Sequence, residues 1–384
     1  MRFSLLSSAL VAAFVGYGST IALVLAAAMA LEATPAQSAS WVFAICLTKA
    51  VGSAWLSWRT RVPVVLAWST PGAALIAASD SLSMAQGVGA FLLAGALVVL
   101  TGAWGRLGRL VAQIPDGIAA GMLAGILLPF CLALPGAAKA LPLVVLPMIA
   151  VFALVRLANP AFAVLASLAT GLVLAFFLGA ADPIRFTPAL PRLTFIAPSF
   201  DLTALLGLGV PLYLVTMASQ NLPGFAVLRA AGYDAPVRPA LLVTGGLSML
   251  GALAGAHSIS MAAITAAICL GDDTHPDRAQ RWKVGLVYAG VWICLGLAGI
   301  SIIAALAALP KALMTALVGL ALLGSLMASA SSAFAHSEQR FAALVTLVVT
   351  ASGVSILGVG AAFWGLCAGL AVHALDHTKR RPPA

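Results

Sequence analysis

The sequence predicts an all-α polytopic membrane protein with 14 transmembrane segments arranged as 7+7 inverted repeats. Segments 3 and 10 are expected to be part extended strand and part half-helix. Three observations predict this. Hydrophobic residues make up 62% of the 384 and charged residues only 8%, where a soluble chain carries roughly 25% charged residues. Apolar runs close to the ~20 residues that cross a hydrocarbon core recur from end to end. The Lys and Arg residues then fall mainly on one side of the loops. So few charges cannot coat the about two or three domains of a soluble chain this long, which excludes a soluble enzyme, a nucleic-acid binder and a disordered protein.

Twelve runs have full-span length: 7–30, 37–58, 84–103, 115–134, 141–158, 161–179, 203–228, 238–255, 284–308, 311–330, 341–357 and 359–375. Two others, 63–79 and 256–270, are shorter and richer in polar residues. The longest polar stretches, about 180–202 and 271–283, leave no room for a soluble domain. The first run follows Arg2 and ends in small residues, as a secretory signal would. It is long for such a signal and carries Tyr17, Ser19 and Thr20 at its middle, so it reads as a retained first span. The five cysteines (Cys46, Cys131, Cys269, Cys294, Cys367) lie inside apolar runs without CxxC spacing. Neither a disulfide nor a metal site is expected.

Orientation follows from the cations. With the N-terminus in the cytoplasm and fourteen crossings, fifteen of the 20 Lys and Arg residues are cytoplasmic. Lys139, Arg185, Arg192 and Lys311 are outside, and Lys49 lies within a span. If the two short segments did not cross, the sides would exchange between them and the bias would collapse. Both are therefore counted as crossings, with both termini cytoplasmic in a multi-pass membrane protein. The net charge of +9 then marks orientation rather than a polyanionic partner. Trp41, Trp55, Trp58, Trp104 and Trp282 stand near span ends, where interfacial anchors belong. Lys49 is expected to snorkel to the cytoplasmic interface, with a buried, paired lysine as the alternative.

The short segments say most about function. The first begins β-branched and extended at Val62-Pro63, and Ser69-Thr70-Pro71-Gly72 then has the chemistry of a helix start. The second, from Gly255-Ala-His-Ser, also sets polar residues before a small-residue helix. Extended backbone at membrane depth is tolerated only inside protein or beside a watery cavity. One such element in each half points to a transporter's central site. The spacing from Ser19 to Pro35 equals that from Gln220 to Pro236, 16 residues, at an offset near half the chain. Residues 1–200 are accordingly read as the first repeat, segments 1–7, and 201–384 as the second, segments 8–14.

All eleven carboxylates fall in loops or at span ends. A midplane carboxylate is costly and usually functional where it occurs. Without one, and with two half-helix N-termini each worth about +0.5 charge, the centre suits an anion or a neutral polar molecule. Candidate contacts are Tyr17, Ser19 and Thr20 in segment 1, and Trp68, Ser69 and Thr70 at the first break. Ser219, Gln220 and Asn221 follow in segment 8, with His257, Ser258 and Ser260 at the second break. Single hydroxyls in membrane helices also bond backbone carbonyls or pack interfaces. The adjacent amides of Gln220 and Asn221 demand partners that a polar cavity supplies. His257 is the candidate proton carrier, because histidine titrates near neutral pH. The alternative is a neutral histidine tying two segments together. Neither HExxH nor a P-loop occurs, so no enzyme and no direct use of ATP is expected.

The motifs at the breaks resemble one family. Pro63 through Ala73, with Ala67-Trp-Ser-Thr-Pro-Gly-Ala-Ala74, is similar to the benzoate:proton symporter family of the BenE type. So are Thr216-Met-Ala-Ser-Gln-Asn-Leu-Pro-Gly-Phe225, Gly255-Ala-His-Ser258 and Ala262-Ala-Ile-Thr-Ala-Ala-Ile-Cys269. Gly16-Tyr-Gly-Ser19 and the Ala33-Thr-Pro-Ala-Gln37 turn fit as well, and the resemblance covers nearly the whole chain. It implies a bacterial inner-membrane secondary transporter importing benzoate or a similar aromatic carboxylate with protons. It also implies the fold of uracil and other nucleobase carriers, with a core domain (segments 1–4 and 8–11) moving against a gate domain (segments 5–7 and 12–14). Nucleobase carriers of that layout place an acidic residue in mid-segment 8, where this chain has Ser219-Gln220-Asn221. In this reading the half-helix N-termini after Ser69 and near Ser258 attract the carboxylate. Gln220, Asn221 and hydroxyls bond it, and Tyr17 or Trp68 packs on the ring. The implied partners are the aromatic carboxylate, protons and the lipid bilayer, with a homodimer as candidate assembly and no cofactor, metal or nucleic acid. An inorganic-anion carrier, a nucleobase carrier and a non-transporting scaffold remain the alternatives.

Overall fold

The computed structural model describes residues 3–79, 82–106, 113–183 and 189–379. Arg2, Asp80, Arg109, Arg185, Arg380 and Arg381, which enter the charge inventory, lie outside them. The long apolar runs form helices, and some of these start at capping signals legible in the sequence. α1 (Phe3–Ala30) carries the first run. α2 (Pro35–Thr60) starts at a capping box: Thr34 Oγ1 accepts from the Gln37 N–H, and the Gln37 side chain accepts from the Thr34 N–H. α4 (Met84–Ala103) repeats the device with Ser83 and Gln86. α5 (Asp116–Leu132) and α7 (Pro142–Ala158) are joined by a short helix, α6 (Leu134–Ala140), and followed by α8 (Ala163–Phe177). α9 (Leu202–Ala230) contains two π turns, Leu205–Gly209 and Met217–Asn221. Asp201 caps it, and bonds from the Thr203 hydroxyl and the Ala204 N–H hold its carboxyl below the usual carboxylate range.

The second half continues with α10 (Val237–Ala252), α12 (Lys283–Leu297), α13 (Gly299–Ala307), α14 (Lys311–Ala333), α15 (Arg340–Ala351) and α16 (Ala361–Lys379). Among the described residues seven helices are long and apolar enough to cross a membrane, or eight if a bent pair counts as one. That pair is α12 with α13, bent by 54° where an unbroken span 284–308 was expected. Gly296 and Gly299 flank the bend, and glycine weakens a helix interior. Gly296 is also required by packing, since a Cβ there would stand 2.9 Å from Cys46 Cβ on α2. The expected span 341–357 stops early, at Ala351. Gly353 follows at φ 67°, the left-handed conformation that commonly ends helices.

Both short segments are broken. β1 (Leu66–Trp68) leads through Ser69 into α3 (Thr70–Ala77), and β2 (Ile259–Met261) leads into α11 (Ile264–Leu270). The strands pair antiparallel, with Leu66 opposite Met261, Ala67 opposite Ser260 and Trp68 opposite Ile259. Buried backbone outside a helix needs partners, and flanking helices provide them. Ser53 on α2 accepts from the Leu66 N–H at 3.0 Å, and Ser248 on α10 accepts from the Ile259 N–H at 3.0 Å. The Tyr288 hydroxyl on α12 donates to the Leu66 carbonyl at 2.9 Å. Around this centre α4 packs along α10 and α2 along α12. A second group gathers apart: α5 against α14 and α15, α15 against α16, and α7 against α8.

Two expectations need correction. Trp41 is no interfacial anchor: it is fully buried, and its indole N–H donates to His257 Nδ1 at 3.0 Å. Trp55, Trp58 and Trp104 are exposed. Lys49 does not snorkel. It is 1% exposed and stands eleven residues from the end of α2 at Thr60, about 17 Å at the ~1.5 Å rise of a helix. Its stem cannot reach that far.

Candidate functional site

A cavity of about 480 Å³ lies where the two broken segments meet, within the ordinary range of small-molecule sites. One wall combines the middle of α1 (Val15, Gly16, Ser19, Thr20), the first break (Ala67, Trp68, Thr70, Pro71), the π-turn region of α9 (Val215, Ala218, Ser219, Gln220, Pro223) and the second break (Ala262, Ala263, Thr265). The facing wall is the first turns of α5, from Asp116 to Leu123, and the C-terminal half of α14, from Ala321 to Ser332.

Of the residues singled out in the sequence, Ser19, Thr20, Trp68, Thr70, Ser219 and Gln220 line this cavity. The Trp68 indole N–H donates to Thr20 Oγ1 at 2.7 Å, and the Thr20 hydroxyl donates to the Gly16 carbonyl at 2.7 Å, which fixes the indole at the wall. Ser19 and Ser219 donate to carbonyls one turn back, at Val15 and Val215, and keep acceptor capacity. The π turn separates the two amides. Gln220 is half-buried in the cavity, and its side chain bonds no protein group among the described residues. Asn221 is fully buried and turned toward β2, where its Oδ1 accepts from the Met261 N–H at 3.0 Å. Single-turn π insertions are frequent at functional sites because they re-aim side chains in this way.

The remaining five stand behind the lining. Ser69 caps α3, its Oγ accepting from the Gly72 N–H at 3.1 Å and from the Thr216 hydroxyl at 2.9 Å. Ser258 and Ser260 are buried in and beside β2. Tyr17 is 3% exposed, with ring centroids 5.7 Å from both Trp68 and Trp292, and its hydroxyl has no hydrogen-bond partner among the described residues. His257 is fully buried between Trp41 and the Ser69 carbonyl, which lies 3.2 Å from its Nε2. The indole can only donate, so Nδ1 is the acceptor; Nε2 therefore carries the hydrogen and donates to Ser69. The helix after the second break begins at Ile264, six residues beyond Ser258, and has no side-chain cap.

Sequence reasoning sent Lys49 to the cytoplasmic interface and left it out of the site. It lines the cavity, with Nζ 3.0 Å from the centroid of the Trp292 ring and 4.3 Å from that of Trp68. The ring cluster was invisible in the sequence because Trp68 and Trp292 are 224 positions apart. A signal for Lys49 existed: its position in the middle of a 26-residue helix. The cavity also meets one carboxylate, Asp116, at the start of α5.

Comparison with known proteins agrees with this architecture. A family model described as "Benzoate membrane transport protein" (BenE) matches residues 1–375. The inner membrane protein YdcO of Escherichia coli (strain K12) is 40% identical over 361 residues, covering 93% of this chain and 92% of that protein. The benzoate membrane transport protein of Acinetobacter baylyi (strain ATCC 33305 / BD413 / ADP1) is 36% identical over 360 residues, 94% of this chain and 91% of that one. Among solved structures, the transmembrane domain of the cyanobacterium bicarbonate transporter BicA aligns with a TM-score of 0.58 at 15% identity, over 98% of this chain and 97% of that one. The murine anion transporter Slc26a9 in the inward-facing state aligns at 0.61 and 14% identity, over 99% of this chain and 69% of that one. At such identities the likeness speaks for the fold.

Proposed function

The chain belongs to the benzoate membrane transport protein family, and from that premise we propose that it carries benzoate or a similar aromatic carboxylate, together with protons, by alternating access. It is a multi-pass membrane transporter and not an enzyme. The observation that carries the substrate reading is the cavity at the two breaks. It offers an indole wall at Trp68 for a ring, and an unengaged amide at Gln220 and hydroxyls at Thr70 and Ser219 for a carboxylate. The N-terminus of α3 faces it at Thr70 and Pro71 and adds a favourable field for an anion.

The fold reading is fourteen crossings in two inverted repeats of seven, 1–200 and 201–384. It is supported by the matched packing of α2 on α12 and α4 on α10, and by the matched strand–helix breaks. The core comprises segments 1–4 and 8–11, and the gate segments 5–7 and 12–14, the group formed by α5–α8 and α14–α16. By the distribution of cations, the ends of α5 and α14 that border the cavity are cytoplasmic. The cavity therefore opens inward.

Uptake of labelled benzoate, sulfate and uracil into proteoliposomes, in parallel and with an imposed pH gradient, tests the proposal. Benzoate uptake driven by the gradient is the expected result. Uptake of sulfate alone or uracil alone overturns the substrate, and no uptake of any solute favours a scaffold.

A further inference from the structure

Lys49 poses a problem that the rest of the site does not solve. A single ammonium group within a membrane-spanning segment is expensive unless it is paired. Lys49 has no carboxylate within ion-pair distance among the described residues. The rings of Trp292 and Trp68 sit against its Nζ, and such contacts offset only part of the cost of desolvating a charge. Among the described residues the titratable groups beside it are Cys46 on α2 and His257 before β2, and Tyr17 on α1, Tyr288 on α12 and Cys269 on α11 join the same cluster; none of them carries a negative charge near neutral pH. Asp116 borders the same cavity from α5 but forms no ion pair with it. In this cluster the Tyr17 hydroxyl is buried without a hydrogen-bond partner among the described residues.

Resting on the reading of the cavity as a carboxylate site, we infer that Lys49 both receives the substrate carboxylate and carries the coupled proton. The balance is simple. An amine at Nζ, a proton from the aqueous side and a carboxylate anion become one ammonium–carboxylate pair, with no other bond made or broken. The pair is neutral, which suits passage through a low-dielectric centre. Proton and anion each stabilise the other's binding, and that coupling is reciprocal. On the far side the anion leaves, the ammonium loses its counter-charge, and the proton follows. The aromatic walls keep water and stray counter-ions from replacing the substrate as partner. His257, with both ring nitrogens already engaged, is left as a tie between the two breaks.

The test uses purified full-length protein, with benzoate as the probe. Proton exchange on binding is followed with a pH-indicator dye in weak buffer near pH 7, and transport is followed in proteoliposomes. Wild type is expected to take up one proton for each benzoate bound. Lys49→Arg keeps a cation that does not titrate in this range. It is expected to bind and exchange benzoate with no proton uptake, and to lose accumulation driven by a pH gradient. Lys49→Met is expected to bind benzoate roughly a hundredfold more weakly, as loss of one partner of a buried charge pair commonly does. If Lys49→Arg does not fold, wild type and Lys49→Met decide between them. A Lys49→Met protein that binds benzoate like wild type and still takes up a proton overturns the inference. So does a wild type that binds benzoate without proton uptake. Both outcomes leave the carboxylate reading standing, whereas a wild type that binds no benzoate overturns the reading and the inference together.

Discussion

Replacing Gln220 and Asn221 one at a time separates two roles played by adjacent amides. Gln220 lines the cavity and bonds no protein group among the described residues, so its removal should leave folding intact. A hydrogen bond to a charged group is worth about 1.5–3 kcal/mol, and each ~1.4 kcal/mol is tenfold in affinity. Gln220→Ala is therefore expected to weaken benzoate binding by roughly tenfold to a hundredfold at unchanged thermal stability. Gln220→Glu is expected to be worse, because it sets a like charge beside the substrate. Asn221→Ala acts on the fold instead. It removes the acceptor of the Met261 N–H at 3.0 Å in a fully buried position, and an orphaned buried donor costs about 1–3 kcal/mol. Its thermal unfolding should move down, with binding by the folded fraction far less affected than in Gln220→Ala. Titration calorimetry with benzoate and thermal unfolding, run on the same samples, measure both quantities. A Gln220→Glu protein that binds benzoate like wild type puts the residue outside the site. An Asn221→Ala protein with wild-type unfolding and weak binding reverses the assignment of the two amides.

Topology can be read by labelling in a cysteine-free background: Thr34→Cys should react with a membrane-impermeant maleimide from outside, and Asp234→Cys only after permeabilisation. Reaction of both from one side removes the inverted repeat. His257→Gln should lower thermal stability, because it disturbs the bonds to Trp41 and Ser69, while gradient-driven benzoate accumulation persists. Loss of accumulation with exchange retained would return the proton to the histidine.

What the sequence made legible was whatever depends on local chemistry. Ser69-Thr70-Pro71 places a hydroxyl cap and a first-turn proline at a helix start, and the helix begins there. Runs of apolar residues locate helices because a bilayer leaves the backbone few other solutions. Function by contrast was assigned to polar residues near the breaks without knowing which way each points. Ser19, Thr70, Ser219 and Gln220 reach the cavity, whereas Tyr17, Ser69, Asn221 and His257 lie one layer behind it. For Gln220 and Asn221 that difference is set by the π turn at Met217–Asn221, and for the residues at the breaks by strand pairing across 193 positions, Ala67 to Ser260. Neither leaves a periodic trace. Lys49 was misread for a related reason. Snorkelling is a property of position along a helix, and 49 was judged against nearby tryptophans rather than against the full length of α2.

The hydrogen bonds that hold the breaks also bear on how such a site can move. The Leu66 and Ile259 N–H groups are satisfied by Ser53 and Ser248, the Leu66 carbonyl by Tyr288, and the Met261 N–H by Asn221. The Ser69 N–H bonds the Ser258 carbonyl at 2.9 Å, tying one break to the other. Every one of these partners belongs to α2, α9, α10, α12 or the breaks themselves. The facing wall, α5 and α14, contributes none of them among the described residues, and touches the cavity chiefly through small residues such as Ala119, Ala120, Gly324 and Ala328. Unpairing a buried backbone group at membrane depth costs several kcal/mol, so motion of the breaks against α2, α9, α10 and α12 is strongly opposed. Sliding α5 and α14 past them breaks none of these bonds. In the proposed alternating-access cycle, the centre would face either side while the broken segments, with the Lys49 cluster beside them, travel as one rigid unit.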